Sequence, residues 1–545
     1  MEVVGGLEMN RHAVAGMEIV YNKFLSLRRT ELKNQQMEIN QPKQRFHAVF
    51  AVCIRLIVFC GLLLSGPEMQ VAKGQNSMPQ ANQQNGKPSK DFSSRPNIVL
   101  VFIDDMGWAD FSCFGNTDIE TSHIDRLARE GISFEQFYVN SPICSPSRTA
   151  ISTGQYPQRW RIGSYLSNRK SNAQRGMANW LDPQAPMLAR MLKQSGYMTG
   201  HFGKWHMGGQ RDVGDAPLIT EYGFDQSLTN FEGLGPRVLP LKYVPGMAAA
   251  QKHALGSDKL GKGPIHWEDR SLITASFTEK AIQFIKQAQK RKKPFYINLW
   301  PDDVHSPFHP PLDRYSRSAD PKQKRRANYL AVLKTMDDQL GKLFDLIRGD
   351  QELRNNTLLL ICSDNGHEPG CGSAGELRGA KVTLFEGGIR SPLVVWGPSF
   401  LNGDEVGGQN RDSIFSAIDL VPSLIELTET EVAAKPNWDG ESVLQTLLGY
   451  SHDSRRKPLF FRRPPDRKRW KGMLDLPDLA IRNGPWKLLC DYDGSRPFLY
   501  NIFKDHGEKQ NLALDPLQAE NVKTLTQQVV DWHLSMPPDN GSNFK

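Results

Sequence analysis

Apolar residues follow two alternating patterns along this chain from Pro96 onward. Continuous apolar runs of strand length predict buried strands at residues 97–103, 295–300, 357–363 and 393–396. Elsewhere, apolar residues recur at three- and four-residue steps, most clearly over about 327–348, and a shorter helical pattern covers 124–130. Alternating strands and helices predict an α/β fold, in which helices flank both faces of a large, mostly parallel sheet.

The pattern changes after about residue 450. Three short strand-like stretches lie within 478–502, separated by Asn483-Gly484 and Asp493-Gly494, and a helical pattern follows at about 518–532. We therefore predict a main domain over 96–450 and a smaller C-terminal subdomain, built on an antiparallel sheet, over 451–545. The run 455–471 is rich in Arg, Lys and Pro, which favours a solvated loop. Its Phe460, Phe461 and Trp470 leave sugar stacking as an alternative.

The N-terminal region carries a targeting pattern. Residues 48–65 are almost wholly apolar, and basic residues precede the last ten of them, as in the apolar region of a signal peptide. We assign residues 1–73 to a signal peptide or a retained anchor, with a possible true start at Met37, and residues 74–95 to a flexible linker. The protein is therefore expected to be exported to the periplasm, the medium or the cell surface. An anchor would be its only expected membrane contact.

Charge and cysteine content place limited constraints on the partners and on the disulfides of the protein. The chain has 67 basic and 59 acidic residues, so its net charge of +8 is compatible with polyanionic partners without requiring them, and no nucleic acid is expected. Five of the seven cysteines follow the targeting segment, too few for a disulfide scaffold in a domain of this size. Cys362 and Cys371 could be bridged or could be buried thiols.

Polar side chains follow the predicted strands. The residues concerned are Asp104, Asp105, Lys204, His206, His305, Asp364 and Asn365. Since ligands of open α/β sheets bind at the carboxyl ends of the strands, these side chains are expected to converge. The three Asp carboxylates and the Asn amide supply oxygen ligands that suit calcium or magnesium better than zinc. Taken alone, Asp104-Asp105 is explained as well by a polar strand end as by metal binding, and Asp364-Asn365-Gly366 as well by a turn.

One further segment favours a functional site over the structural explanations. Cys144-Ser145-Pro146-Ser147-Arg148, followed by Thr153-Gly154, resembles the signature of the formylglycine-dependent sulfatases, of the arylsulfatase and N-acetylgalactosamine-6-sulfatase types. The other segments of that family occur in order: Gly203-Lys204-Trp205-His206-Met207-Gly208, Asp303-Val304-His305-Ser306-Pro307, Ser363-Asp364-Asn365-Gly366, Gly379-Ala380-Lys381 and Glu386-Gly387-Gly388-Ile389-Arg390. The resemblance spans about 96–398 and returns at 499–502. It implies an alkaline-phosphatase-like fold, with the catalytic sulfatase domain over 96–450.

The resemblance also implies a cofactor and a modified residue. A separate maturation enzyme would oxidise Cys144 to formylglycine, whose hydrate attacks the sulfur of a sulfate ester. One calcium ion would be bound by residue 144 and by Asp104, Asp105, Asp364 and Asn365. The expected substrate is a sulfated carbohydrate or an aryl sulfate. The sequence does not specify which sugar, and the loops at 208–263 are expected to select it.

Five further residues receive roles from the resemblance. Arg148 would hold the formylglycine hydrate, and Lys204 and Lys381 would bind sulfate oxygens. His206 would act as the base in sulfate elimination, and His305 would protonate the leaving alkoxide. His309 and His367 could line the cleft, although a structural role is as well supported.

Three other functions remain open from the sequence. A metal-dependent phosphatase of the same superfamily would typically use two zinc ions and several His ligands, whereas this chain offers Asn365 and Cys144. A phosphonate or phosphodiester hydrolase that uses formylglycine shares the same chemistry. A lectin that binds sulfated glycans would require that Cys144 is never converted.

Overall fold

The structure is a computed structural model that describes residues 95–432, 434–467 and 475–540. The predicted targeting segment, most of the linker and Trp470 lie outside these residues. The strands are β1 (Asn97–Ile103), β2 (Ile132–Tyr138), β3 (Met198–Gly203), β4 (Gln226–Leu228), β5 (Arg237–Lys242), β6 (Gln251–Lys252), β7 (Ile265–Asp269), β8 (Phe295–Trp300), β9 (Thr357–Ser363), β10 (Arg390–Trp396), β11 (Gln409–Asn410), β12 (Phe415–Ser416), β13 (Leu459–Arg462), β14 (Leu479–Asn483), β15 (Trp486–Cys490) and β16 (Phe498–Asn501).

Helices separate these strands. They are α1 (Ser122–Arg129), α2 (Cys144–Thr153), α3 (Arg169–Gln174), α4 (Leu188–Gln194), α5 (Ile273–Lys290), α6 (Pro321–Gly349), α7 (Gln351–Asn356), α8 (Glu386–Ile389), α9 (Ala417–Leu427), α10 (Leu444–Leu447) and α11 (Ala519–Ser535). Among the described residues, no helix combines the length and the apolar character needed to cross a bilayer.

The large sheet confirms the predicted fold class. Its order is β11-β2-β10-β9-β1-β8-β3-β4, with β12 also paired to β2. The pairs along β9-β1-β8-β3-β4 are parallel, and β10 runs antiparallel to both of its neighbours. The strand predicted at 393–396 begins earlier, at Arg390. It lies between β9, at the end of the parallel part of the sheet, and β2.

Helices cover both faces of the sheet, because successive side chains of a strand point to opposite sides. Leu100 and Phe102 of β1 pack with α4 and α9, whereas Val99 and Val101 pack with α5 and α6. The longest helix, α6, starts at Pro321 rather than near 327, because the Asp320 carboxylate accepts hydrogen bonds from the next backbone N–H groups and proline is favoured in the first turn.

The C-terminal part contains an antiparallel sheet in the order β13-β14-β15-β16, against which α11 packs. Tight turns at Gly484 and Gly494, both with positive φ, separate β14, β15 and β16 as the sequence predicts. Strand β13 was not predicted, since it lies inside the basic run. The boundary proposed at 450/451 stays a prediction.

Two expectations are corrected here. The solvated-loop prediction is wrong for Arg455, which is buried and forms an ion pair with Asp419 at 2.8 Å, and for the buried Arg462 and Arg463. Phe461 is fully buried and Phe460 stacks on Trp532, so neither ring is free to stack on a sugar. Of the two alternatives for Cys362 and Cys371, the structure supports the unbridged one, since both side chains are buried and no disulfide joins them.

Candidate active site

The carboxyl ends of four adjacent strands, β9, β1, β8 and β3, carry most of the predicted site residues. Asp364 and Asn365 follow β9, Asp104 and Asp105 follow β1, His305 follows β8, and Lys204 and His206 follow β3. Parallel strands place their carboxyl ends on one edge of the sheet, so the fold brings these distant segments together.

Helix α2 brings Cys144 and Arg148 to the same edge. The two residues lie four positions apart, on one face of the helix, and both are buried. The Arg148 guanidinium donates to Asp104 Oδ1 at 3.0 Å, to Asp364 Oδ2 at 2.9 Å and to the Lys204 carbonyl at 3.2 Å. Arg148 therefore links the ends of β9, β1 and β3 beneath Cys144.

Two lysines, Lys204 and Lys381, form ion pairs with the aspartates of this edge. Lys204 Nζ donates to Asp104 Oδ2 at 2.7 Å, and Lys381, in the loop before α8, donates to Asp105 Oδ2. The backbone is strained at this point: Asp105, His206 and Val382 all have positive φ, which is unusual for residues with side chains and a genuine outlier for a β-branched one. Strain of this kind persists only where the surroundings hold the chain, so the side chains are pre-positioned. We give the name strand-end cluster to Asp104, Asp105, Arg148, Lys204, His206, Asp364, Asn365 and Lys381.

The oxygen atoms of this cluster fit a hard divalent cation. Ligand atoms of Asp104, Cys144 and Asp364 all lie within 4.8 Å of one another. Asn365 Nδ2 donates to Asp105 Oδ1 at 2.8 Å, which leaves Asn365 Oδ1 buried and, among the described residues, without a hydrogen-bond partner. An orphaned buried oxygen costs free energy unless something binds it, and carboxylate and amide oxygens are the ligands that calcium prefers.

The two central carboxylates also compete with each other. Burial and the neighbouring Asp104 raise the pKa of Asp364 well above its usual value, although Arg148 opposes this. Burial would raise the pKa of Asp104 too, but Lys204 and Arg148 outweigh it and hold that pKa well below the usual value. Two buried carboxylates in such proximity would be relieved by a cation between them.

Cys144 itself is not activated as a thiolate. Burial raises its pKa, while the charges of Lys204 and Lys381 only partly oppose that effect. A reactive cysteine needs a lowered pKa, so this residue does not resemble a catalytic thiol. Its place among three cations therefore requires another explanation than thiolate chemistry.

The two histidines differ in exposure. The His305 side chain is 36% exposed, whereas the His206 side chain is 3% exposed, so His305 is the more accessible of the two from solvent. His305 Nδ1 lies 2.8 Å from the Ser306 carbonyl, and its Nε2 lies 3.6 Å from Asp105 Oδ2. Burial lowers the pKa of both rings, against the opposing pull of Asp105 on His305 and of Glu232 on His206.

Sequence reasoning missed one residue of the site. Glu232, in the connection between β4 and β5, is buried and its Oε2 lies 2.6 Å from His206 Nε2. Its surroundings, Asn230-Phe231-Glu232-Gly233, match no motif, and the residue follows a strand of only three residues. No local signal distinguished it from an ordinary surface glutamate.

The two remaining histidines have structural contacts. His309 Nδ1 lies 2.7 Å from the Tyr315 hydroxyl. His367 Nδ1 lies 3.1 Å from the Glu368 carbonyl, and the His367 carbonyl accepts a hydrogen bond from the backbone N–H of Lys381. His367 thus helps to hold the Lys381 loop.

Comparisons with known proteins agree on one family. A sequence profile of the Sulfatase family matches residues 96–430. N-acetylgalactosamine-6-sulfatase from Homo sapiens is 31% identical over 380 residues, which cover 68% of each protein. Arylsulfatase A from Homo sapiens is 28% identical over 466 residues, which cover 76% of this chain and 83% of the relative. The crystal structure of Ps i-CgsB is similar at a TM-score of 0.65 and 25% identity, covering 81% of this chain and 93% of that one.

Proposed function

The chain belongs to the sulfatase family and is a sulfuric ester hydrolase of the arylsulfatase type, and from this premise we propose how it works and on what. It removes sulfate from a sulfated carbohydrate, or from an aryl sulfate, through a formylglycine made from Cys144. The observation that carries the proposal is the position of Cys144. This buried thiol, whose pKa is raised, shares one edge of the sheet with Asp104, Asp364, Lys204 and Lys381.

The first chemical step uses the hydrate of the aldehyde at position 144. One of its hydroxyl groups gives its proton to a carboxylate of the strand-end cluster while its oxygen attacks sulfur, and the bond between sulfur and the alcohol oxygen breaks with its electron pair on that oxygen. His305, half-exposed at the mouth of the site, supplies the proton that the departing alkoxide needs. The products of this step are the free alcohol and a sulfated residue 144.

The second step releases sulfate without water attacking sulfur. His206 takes the proton from the remaining hydroxyl of residue 144, a carbon–oxygen double bond forms, and the bond to the sulfate oxygen breaks. Sulfate leaves with that electron pair, and water then adds to the aldehyde to restore the hydrate. A serine in this position could not release sulfate in this way, because it has no second hydroxyl on the same carbon.

Three cations stabilise the negative charge that accompanies these steps. Lys204 and Lys381 bind sulfate oxygens, and Arg148 holds the hydrate of residue 144. Their present partners are the carboxylates of Asp104, Asp105 and Asp364. A divalent cation on those carboxylates would free the ammonium and guanidinium groups to turn towards sulfate.

Calcium is the ion that we propose for the site. Asp104, Asp105, Asp364 and Asn365 would hold it together with residue 144, and when bound it would supply Lewis-acid polarisation of the sulfate. The orphaned Asn365 Oδ1 supports this assignment. Zinc is disfavoured because these ligands are hard oxygens and no histidine is among them.

The substrate class rests on the relatives. N-acetylgalactosamine-6-sulfatase is named for a sulfated sugar, so we propose a sulfated carbohydrate for this chain as well. Export of the protein, with its targeting segment at residues 1–73, and maturation of Cys144 by a formylglycine-generating enzyme belong to the same proposal.

Mass spectrometry of residue 144 tests the proposal most directly. The protein is made with and without a formylglycine-generating enzyme, and the digested peptides are compared. We expect an aldehyde at 144 only in the first sample, and calcium-dependent release of sulfate from an aryl sulfate only there. Cys113, which is more accessible than the buried Cys144, serves as an internal control that should remain a thiol.

Two results would contradict the proposal. A thiol at 144 in the co-expressed sample would remove the nucleophile and favour a glycan-binding protein. Matured protein that cleaves a phosphodiester but no sulfate ester would instead favour the formylglycine-dependent phosphodiesterases. The Cys144→Ala variant, which cannot be matured, provides the baseline for both assays.

A further inference from the structure

Glu232 is held in place from its backbone and from its neighbours. Its N–H donates to Asn230 Oδ1 at 2.8 Å, and Asn230 Nδ2 donates to Asp302 Oδ2 at 2.8 Å. Arg270 in turn donates to Asp302 Oδ1 at 2.9 Å. The Glu232 side chain is 6% exposed. A carboxylate held in this way cannot move freely into solvent, so its contacts with neighbouring site residues are fixed.

Two contacts join Glu232 to His206. The backbone N–H of His206 donates to the Glu232 carbonyl at 2.8 Å, and Glu232 Oε2 lies 2.6 Å from His206 Nε2. The same nitrogen lies 3.0 Å from the Leu166 carbonyl oxygen. A carbonyl oxygen can only accept a hydrogen bond, so Nε2 carries the ring proton and donates it to Leu166. Glu232 Oε2 has no hydrogen-bond partner among the described residues, and its short distance to Nε2 is an ionic contact. The other ring nitrogen, Nδ1, is buried and has no hydrogen-bond partner among the described residues.

The charge state of Glu232 agrees with this geometry. Burial would raise its pKa, but His206, Lys204 and Arg211 together hold that pKa well below the usual value, so the side chain is a carboxylate. Lys204 Nζ and Arg211 each lie 3.9 Å from one of its oxygens. The nearer contact, to His206, is therefore between an anion and an N–H group.

We propose that Glu232 is a positioning residue that keeps the proton of His206 on Nε2 and so leaves Nδ1 as the base that drives release of sulfate from residue 144. The inference rests on the proposed function, in which His206 takes the proton of the remaining hydroxyl. When Nδ1 takes that proton, the ring becomes a cation, and the Glu232 carboxylate beside it stabilises the charge. The arrangement follows the general rule that the partner of one imidazole nitrogen determines what the other can do.

Rapid kinetics on Glu232 variants tests this role. Removing a group that orients a functional histidine typically costs about 10- to 100-fold. We expect Glu232→Ala to lower kcat for an aryl sulfate by that factor, to lower KM with it and to leave kcat/KM nearly unchanged. The reason is that kcat/KM reports binding and the first step, which depend on Lys204 and Lys381 and precede the slowed elimination. We expect Glu232→Gln to retain more of kcat, because its amide oxygen keeps a partial negative charge beside the Nε2–H group.

The order of steps supplies a signature that a structural role would not produce. If Glu232 acts in sulfate elimination, the first turnover stays fast and the second slows. Glu232→Ala should then release one equivalent of the phenol in a burst and accumulate sulfated residue 144, visible by mass spectrometry after rapid quenching. Glu279→Gln, an exposed glutamate on α5, is the matched control and should behave like wild type. Thermal unfolding of each variant identifies loss of fold.

The outcomes distinguish failure of the proposed function from failure of the role assigned to Glu232. If matured wild type released no phenol, the proposed function would fail and this assignment with it. If wild type turned over and Glu232→Ala matched it, or lost activity in the first turnover with no accumulation of sulfated residue 144, only the assignment of Glu232 would fail.

Discussion

Two buried charge clusters in this protein have similar compositions and different contacts. The strand-end cluster contains aspartates, two lysines and an arginine at the carboxyl ends of the large sheet. A second set, which we call the interface cluster, consists of Glu386, Lys487, Glu508, Tyr138 and Arg482, and it joins the C-terminal sheet to α8 and β2. Both are almost completely inaccessible to solvent, so burial alone does not distinguish them.

The interface cluster uses its atoms to hold the chain together. Lys487 Nζ lies 2.9 Å from Glu386 Oε1 and 2.9 Å from Glu508 Oε1. The Tyr138 hydroxyl donates to Glu386 Oε2 at 2.7 Å, and Glu508 Oε2 accepts the backbone N–H of Glu386 at 2.7 Å. These partners come from β2, α8, β15 and the segment after β16.

The strand-end cluster contains buried polar atoms that lack a hydrogen-bond partner within the described residues. Asn365 Oδ1 and His206 Nδ1 are buried and, within the described residues, unpartnered, while Asp105, His206 and Val382 have strained backbones. Its cations bind carboxylates that a metal ion could take over. Both clusters connect separate segments, and Glu508 of the interface cluster also has a positive φ. The strand-end cluster differs in having buried polar atoms, Asn365 Oδ1 and His206 Nδ1, for which the described residues provide no hydrogen bond.

Matched lysine substitutions give the largest expected effect. Lys204→Met removes a cation from the proposed sulfate site, and we expect kcat/KM for an aryl sulfate to fall by roughly 10²- to 10³-fold, as when one stabilising donor is lost. Steady-state kinetics on matured protein measures this loss. Lys487→Met is the control, and its folded fraction should retain wild-type kcat. Equal loss of activity in both variants would contradict the comparison.

The same control variant carries the largest expected effect on stability. Lys487→Met leaves Glu386 and Glu508 buried without their shared cation, and breaking a buried pair in this way costs about 3–5 kcal/mol. Denaturant unfolding measures the change. The triple variant with Glu386→Gln and Glu508→Gln should recover part of the loss, since no buried charge then lacks a partner. A stability equal to wild type in Lys487→Met alone would show that the cluster does not hold the interface.

Metal binding should stabilise only through the strand-end cluster. Calcium at about 100 times its Kd should raise the free energy of unfolding by about 2.7 kcal/mol, and removing it with a chelator should reverse the change. Asp364→Asn should abolish this response. Asp338→Asn, at the second described group of potential ligands beside His123 and Asp337, should keep it, because Lys334 already occupies that group at 2.7 Å. A response in Asp364→Asn would place the ion elsewhere.

The last prediction concerns pH and the interface cluster. Burial and the nearby Glu386 raise the pKa of Glu508 to about 7, despite Lys487, so the folded protein keeps a proton that the unfolded chain has already lost. Stability from this group is therefore present at low pH and is lost as pH rises from about 4.5 to about 7, by at most about 3 kcal/mol. Unfolding curves of wild type and Glu508→Gln should differ in slope over this range. Parallel curves would contradict the assignment.

Much of the architecture could be predicted from local pattern. Strands β1, β8 and β9 have the predicted bounds, because a run buried on both sides must be continuously apolar. Strand β13 escaped prediction, because Arg455, Arg462 and Arg463 made its surroundings look like a solvated loop. Long-range partners such as Asp419 neutralise these arginines, and no local rule can foresee such a pairing.

The sequence by itself determined the family and the residues that its motifs carry. Each of these residues lies in a segment that matches a family motif, because a loop or a helix turn can present its side chain only at a fixed local spacing. They are Cys144, Arg148, Lys204, His206, His305, Asp364 and Lys381. The sheet order alone decided that these segments meet at one edge. Only the tertiary structure brought in Glu232, whose contact with His206 joins residues 26 positions apart through a turn that has no signature. Chemistry that depends on a residue type at a fixed local spacing can be read from sequence, whereas the partner that holds a proton on one nitrogen is selected by packing.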